Sequence, residues 1–245
     1  MTKPIALQLY SVRDQLKVDL EGTVARVAEL GFDGVEPFGL TPETAERTRR
    51  ACDDHGLSVV SVHAAAPVGD DADTVLAIAD ALGCSRVVSG TSVSDCETLS
   101  GVMACCERFA EAHETLKSRG LRFGIHNHWW EYEVVAGVYP YRQLLDWLPS
   151  EVFFEVDVYW VQTAAIDPIA VLREMAGRAR LLHVKDGPAL VGEPMVPAGQ
   201  GSLDIAGIVR ANAAHSEALI VEFDACASPI WEAVAASRGY VASLR

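Results

Sequence analysis

The sequence predicts a (β/α)₈ TIM barrel. Three observations carry this. Eight short apolar, β-branched-rich runs are each followed by a segment of helical periodicity. Glycines close most of the helical segments (Gly31, Gly56, Gly83, Gly120, Gly177). The chain has 245 residues, close to the roughly 250 that an α/β barrel uses as one domain. Strand followed by helix, repeated, means parallel units with right-handed crossovers, and eight repeats close a barrel.

The strands are expected at residues 5–10, 34–36, 57–63, 86–88, 121–126, 152–158, 179–184 and 218–223. The first helix spans 20–30, where Leu20, Val24, Val27 and Leu30 share a face and Gly31 stops it. Thr41-Pro42 is a helix start, a hydroxyl cap followed by a proline in the first turn, and that helix ends at Gly56. Further helices are expected at 70–82, 95–119, 139–148, from Asp167-Pro168 to near Gly177, 202–212 and 229–237. No G-x-G-x-x-G follows the first strand, which disfavours an open dinucleotide-binding sheet. A single domain over 1–245 accounts for every element. The longest irregular stretches, 127–138 and 186–201, both follow strands, so they belong on the catalytic face of a barrel.

Half of the residues are hydrophobic, enough for a core that needs no staples. The net charge of −14 and the lack of any Lys/Arg run argue against a nucleic-acid partner. None of the six cysteines stands in C-x-x-C spacing, and Cys105-Cys106 are adjacent. They read as reduced, mostly buried small hydrophobes in a cytoplasmic protein. Residues 1–4 lead straight into Ile5-Ala6-Leu7, without the pattern of a signal peptide, and no apolar run reaches the ~20 residues that span a bilayer. A homo-oligomer is compatible with the sequence.

In a barrel the C-terminal strand ends carry the chemistry. Those ends offer Gln8, Tyr10 and Arg13; Glu36; His63; Ser89 and Thr91; His126, Asn127, His128 and Glu131; Glu155 and Asp157; His183, Lys185 and Asp186; and Glu222 and Asp224. Strands five to eight thus each end in histidine or carboxylate. Any one such residue can be an ordinary hydrogen-bonded group, but four consecutive strands ending so are harder to dismiss. Burying Asp157, His183 and Glu222 near one axis is costly without a cation. Mixed carboxylate and imidazole donors suit one divalent ion, Mn²⁺, Mg²⁺, Co²⁺, Fe²⁺ or Zn²⁺. No thiolate sits at these ends, which speaks against a structural zinc. Side chains alternate along a strand, so Glu155 and Asp157 share a face, as do His183 and Lys185, and Glu222 and Asp224. Parity alone leaves open which member of each pair is used.

Several motifs resemble those of sugar phosphate isomerase/epimerase-like proteins of the xylose isomerase-like barrel superfamily. They are Gln8-Leu9-Tyr10-Ser11-Val12-Arg13-Asp14, Gly31-Phe32-Asp33-Gly34-Val35-Glu36, His126-Asn127-His128-Trp129-Trp130-Glu131, Glu155-Val156-Asp157-Val158-Tyr159-Trp160, His183-Val184-Lys185-Asp186, Gly199-Gln200-Gly201-Ser202-Leu203-Asp204 and Val221-Glu222-Phe223-Asp224. The resemblance runs in order along nearly the whole chain and fixes the superfamily, not the substrate. It implies a divalent metal held by a strand-five carboxylate, Asp157, His183 and Glu222. Related epimerases place a glutamate inside strand five, where this chain has Phe123-Gly124-Ile125. Glu131, reaching back from the loop, is therefore the expected fourth ligand, with His126 and His128 as runners-up. The family often has Glu where Gln200 stands, and Gln can position a hydroxyl but cannot act as a base.

The expected function is isomerisation or epimerisation of a keto sugar or related polyol through an enediolate. Glu131 and Glu222 would flank the substrate and move the proton, and the metal would act as Lewis acid. Lys185 would stabilise developing charge, unless it only pairs with a carboxylate such as Asp186. Glu36 and His63 would bind hydroxyls, alongside His126 and His128. Trp129, Trp130 and Trp160 would cover apolar sugar faces or pack the mouth. Three rivals share the fold or the site: a lyase or dehydratase on a keto sugar or keto-glycoside, an endonuclease-type phosphodiesterase, and a non-catalytic sugar-binding subunit. The acid balance disfavours the second and the full ligand set the third.

Overall fold

The protein is described by a computed structural model covering residues 3–245. Its nine parallel strands form a nearly closed barrel wrapped in helices. They are β1 (Ile5–Gln8), β2 (Gly34–Glu36), β3 (Ser58–Val59), β4 (Val62–His63), β5 (Arg86–Gly90), β6 (Arg122–His126), β7 (Phe153–Asp157), β8 (Ala179–Val184) and β9 (Ala218–Val221). The sheet runs β3-β2-β1-β9-β8-β7-β6-β5-β4.

The expected third strand is broken in two. β3 pairs with β2 and β4 pairs with β5, so the stave changes partner at Val60-Ser61. There the Ser61 hydroxyl turns inward and donates to Glu36. A bridge between Phe38 and His63 closes the ring above the break.

Other boundaries shift for capping reasons. The first strand stops at Gln8, whose side-chain oxygen accepts from the Tyr10 amide and turns the chain outward. The sixth stops at Asp157, which caps a helix at Val158–Thr163. The helix expected over 95–119 is two, Val93–Cys96 capped by Ser92 and Leu99–Lys117 capped by Thr98. The helix expected from Ser202 starts at Ile205, because the Asp204 carboxylate caps the Gly207 amide. The last helix runs on to Ala242.

Two apolar layers result. One lies between strands and helices and includes Ile5, Leu7, Val35, Phe123 and Leu182. The other plugs the barrel axis with Ala6, Val60, Val88, Phe153, Leu181, Ala218 and Ile220. These axial positions set the parity. Two residues further along the staves the inward side chains become Gln8, His126, Glu155, His183 and Glu222. The polar site thus sits directly on the axial plug.

All six cysteines are free, five buried and Cys226 partly so. Burial pushes the thiols up, to about 11 at Cys52, Cys84 and Cys106 and about 12 at Cys96. Among the described residues no helix is long and apolar enough to cross a membrane.

Candidate metal centre at the strand ends

The site has two tiers. The lower holds Glu36, Glu155 and His183, all fully buried. His183 Nε2 lies 2.7 Å from Glu36 Oε1 and 3.1 Å from Glu155 Oε2. Glu155 Oε2 also meets His63 Nε2 at 2.5 Å and His126 Nδ1 at 3.1 Å. Gln8 Nε2 donates to Glu36 Oε1 at 2.8 Å.

The upper tier holds Asp157, Lys185, Glu222 and Asp224. Lys185 Nζ lies 2.9 Å from Asp157 Oδ2, 2.7 Å from Glu222 Oε2 and 2.7 Å from Asp224 Oδ2. His183 joins the tiers, its Nδ1 standing 2.6 Å from Glu222 Oε2. Asp157 is held from behind: Oδ1 accepts the amides of Tyr159 and Trp160 at 3.0 and 3.1 Å, and Oδ2 faces inward. Asn127 clamps the Asp157 backbone on both sides, accepting from its amide and donating to its carbonyl.

Burial sets the charge states against the neighbours. Burial and the Glu155 charge push the Glu36 carboxyl up to about 7. Burial also opposes ionisation of Glu155, but His183 and His63 outweigh it and hold Glu155 well below the usual range. Lys185 and His183 do the same for Glu222. Asp157 stays raised, since burial exceeds the pull of Lys185 and His183. Burial works to lower Lys185, yet three carboxylates hold its ammonium well above the ordinary value. His183 is likewise raised against burial by Glu155, Glu222 and Glu36. His126 is pushed down by burial and by the charges of His183 and His63.

The donors fit a divalent cation. Two overlapping groups, His63/His126/Glu155/His183 and His126/Asp157/His183/Glu222, each bring four ligand atoms within 4.8 Å of one another. Glu155 Oε1 is buried without a hydrogen-bond partner. Four buried carboxylates (Glu36, Glu155, Asp157, Glu222) crowd one another around His183 and Lys185, and a cation among them offsets their repulsion.

Above the donors opens a cavity of about 450 Å³. Tyr10, Phe38 and Trp160 form its apolar side, and His63, His126, His128, Lys185, Glu222 and Asp224 its polar side.

Asp157, His183 and Glu222 are brought together as expected from the sequence. Glu131 is not brought to them. It is buried in the loop after β6, where one oxygen accepts from the Thr91 hydroxyl and the other from the His128 amide at 2.8 Å. The group it was expected to join is completed by His126. Glu36 lies under His63 and His183, not in the cavity wall as a hydroxyl binder would. Lys185 pairs with Asp157, Glu222 and Asp224. Asp186 instead accepts four backbone amides, from Gly187, Gly199, Gly201 and Leu203. It ties down the loop carrying Gln200, and a Cβ on Gly201 would overlap its carboxylate. Trp130 stacks on His128 and donates to Thr91, so it packs the mouth, whereas Trp160 borders the cavity.

Glu155 stands in the sequence among the strand-end residues, in the Glu155-Val156-Asp157 motif and as the parity partner of Asp157, with no role of its own. That parity was the signal for a second, deeper tier, because both residues face the axis.

Fold and cluster together define a (β/α)₈ barrel with a buried histidine–carboxylate centre at its strand ends. The chain belongs to the xylose isomerase-like TIM barrel family, whose model matches residues 24–225. A sugar phosphate isomerase/epimerase from Parabacteroides distasonis has a similar structure at 23% identity, with TM-score 0.83, covering 98% of this chain and 94% of that one. A probable 3-DHS dehydratase involved in petrobactin synthesis in Bacillus anthracis has TM-score 0.78 at 14% identity, covering 98% of both chains. The IOLI protein with a bound zinc atom has TM-score 0.75 at 13% identity, covering 98% of this chain and 97% of that one. At these identities the likeness establishes the fold. No curated protein matches the chain.

Proposed function

We propose that the protein is a divalent-metal-dependent isomerase or epimerase acting on a keto sugar or related polyol by proton abstraction next to the carbonyl. The observation that carries this is the His126/Asp157/His183/Glu222 group at the floor of a sugar-sized cavity. A divalent ion bound there supplies Lewis-acid polarisation of a carbonyl oxygen. Glu222 lines the cavity and is kept ionised, so it is the base that takes the α-proton. Lys185 stays protonated beside it and donates to negative charge as it develops. His63 and His128 offer ring nitrogens to hydroxyls, while Trp160, Tyr10 and Phe38 cover the apolar sugar face.

Both carboxylates at the cavity wall, Glu222 and Asp224, lie at one stave end and are bridged by Lys185. Proton removal and return on one face suits isomerisation better than inversion at a single carbon. It also suits loss of a β-substituent, so a lyase or dehydratase on a keto sugar or keto-glycoside is the second reading.

The test is incubation of metal-loaded protein with ketoses in deuterium oxide, followed by NMR. Deuterium at the carbon beside the carbonyl, with an isomeric product, supports the first reading. An unsaturated product seen by ultraviolet absorbance supports the second. No exchange with any ketose or keto-glycoside overturns both.

A further inference from the structure

We propose that the strand-start end of the barrel carries a second ligand site, for a phosphate monoester of a small hydroxylated molecule. Lys117, Arg122 and Arg180 hold the phosphate, and His113 meets a hydroxyl of the body. The site shares no residue with the strand-end cavity and does not rest on the function proposed above.

The starts of β6, β7 and β8 surround a cavity of about 400 Å³. That volume lies within the roughly 300–1,000 Å³ of small-molecule sites, so it has room for more than a bare ion. Four cations line it, Lys117, Arg122, Arg178 and Arg180, against one carboxylate, Glu151. This balance reverses that of the chain, whose net charge is −14. A cleft lined mainly by one sign of charge concentrates ions of the other sign.

Neighbouring carboxylates leave much of that charge unmatched. Glu217, beside the cavity, is shared by Arg86, Arg122 and Arg180, and Arg180 Nη1 stays 3.8 Å from it. Lys117 faces Glu151 at 3.5 Å with both side chains half exposed, a pair that contributes little. Arg178 makes no ion pair among the described residues. Its guanidinium donates instead to the carbonyls of Leu145, Pro149 and Val152. An anion in the cavity supplies the missing countercharge, and arginine forks beside a lysine suit phosphate oxygens.

His113 is a second, independent observation. It lines the cavity, is only 3% exposed, and has no hydrogen-bond partner on either ring nitrogen. Buried polar groups are seldom left so. No hydrogen bond within the protein therefore opposes turning one nitrogen to a ligand. His113 stands four residues before Lys117 on the helix Leu99–Lys117, so the two share a face. An imidazole beside the ammonium suits a hydroxyl close to a phosphate. Leu121 and Phe153 give the carbon body an apolar wall.

Calorimetric titration at constant ionic strength tests this with glycerol 3-phosphate, inorganic phosphate and citrate. One site is expected, with glycerol 3-phosphate bound most tightly. No saturable binding of glycerol 3-phosphate overturns the proposal. Tighter binding of citrate would make the site one for carboxylates, and equal or tighter binding of inorganic phosphate would remove the ester; either overturns it. Arg180→Gln should weaken glycerol 3-phosphate about tenfold, as loss of a charged hydrogen bond does. Lys117→Glu should abolish binding; binding that survives it lies elsewhere, as at a metal ion, and overturns the proposal. Glu217→Gln frees Arg122 and Arg180 of their competing carboxylate and should tighten binding about threefold, a gain that misfolding cannot mimic. Unchanged or weaker binding in that variant refutes the site. His113→Phe should weaken glycerol 3-phosphate about fivefold and spare inorganic phosphate. Equal effects on both ligands refute the hydroxyl contact.

Discussion

Gly124 and Phe153 stand opposite each other on β6 and β7, and a Cβ on Gly124 would overlap the Phe153 ring. The fifth stave therefore leaves the inward position directly below His126 to the Phe153 ring. Gly124→Ala should lower stability by about 1–3 kcal/mol, the usual result of overpacking a filled core. Phe153→Leu in the same chain should recover part of the loss. Urea unfolding of the single and double variants measures both.

Glu131→Gln should bind zinc within threefold of wild type. Both oxygens of Glu131 are occupied by Thr91 and His128, so the substitution changes a loop bond and leaves the donor group intact. Competition titration checks it. A hundredfold loss would put Glu131 back among the ligands.

Asp186→Asn should cost about 3 kcal/mol. The amide group can accept only on its oxygen, so the N–H groups facing its NH₂ lose their partner in a buried place. The loop over residues 187–203 should then become the first site of limited proteolysis, and faster hydrogen exchange at Gly199 and Gly201 should report the same change.

At the strand-start end, Glu217 ties together Arg86 at 2.6 Å and Arg122 at 3.0 Å. Despite partial burial, these arginines hold its carboxyl below the usual value. A carboxyl depressed in the folded state stabilises above its unfolded pKa and loses that contribution as the pH falls through the folded one. The gap between wild type and Glu217→Gln should be full above about pH 5, and screening limits it to about 1 kcal/mol. It should close on acidification. Thermal melts across the acid range test this, and a gap that widened on acidification would refute it.

Removing metal should lower the melting temperature, and the shift should grow with metal concentration. At 100 times the dissociation constant a ligand bound only by the folded state adds about 2.7 kcal/mol. Melts with zinc titrated into chelator-treated protein provide the check.

The barrel was legible because periodicity and glycine stops are local signals. Residues 20–30 and 70–82 illustrate this, the observed helices being Leu20–Glu29 and Asp71–Leu82. The break at Val60-Ser61 was not legible, since it follows from a side-chain bond between Ser61 and Glu36 across two staves. The convergence of Asp157, His183 and Glu222 followed from strand ends meeting around one axis. The placing of Glu131 depended on the fold of residues 127–133, where a cap to the His128 amide competes with reaching the centre. Sequence spacing shows that the reach exists, not which bond wins. The depth of Glu155 was not legible for a related reason: alternation names a face but not a depth.

Lys185 brings an ammonium to three carboxylates from within the chain. Their mutual repulsion is thus partly quenched as soon as the last three staves pair, by a group that synthesis always delivers. On the metal-dependent reading proposed above, an ion would join a socket that is already assembled and already partly neutralised. On that same reading, metal scarcity would cost the protein its activity before it cost its shape, and a metal supplied late would find the polypeptide already assembled.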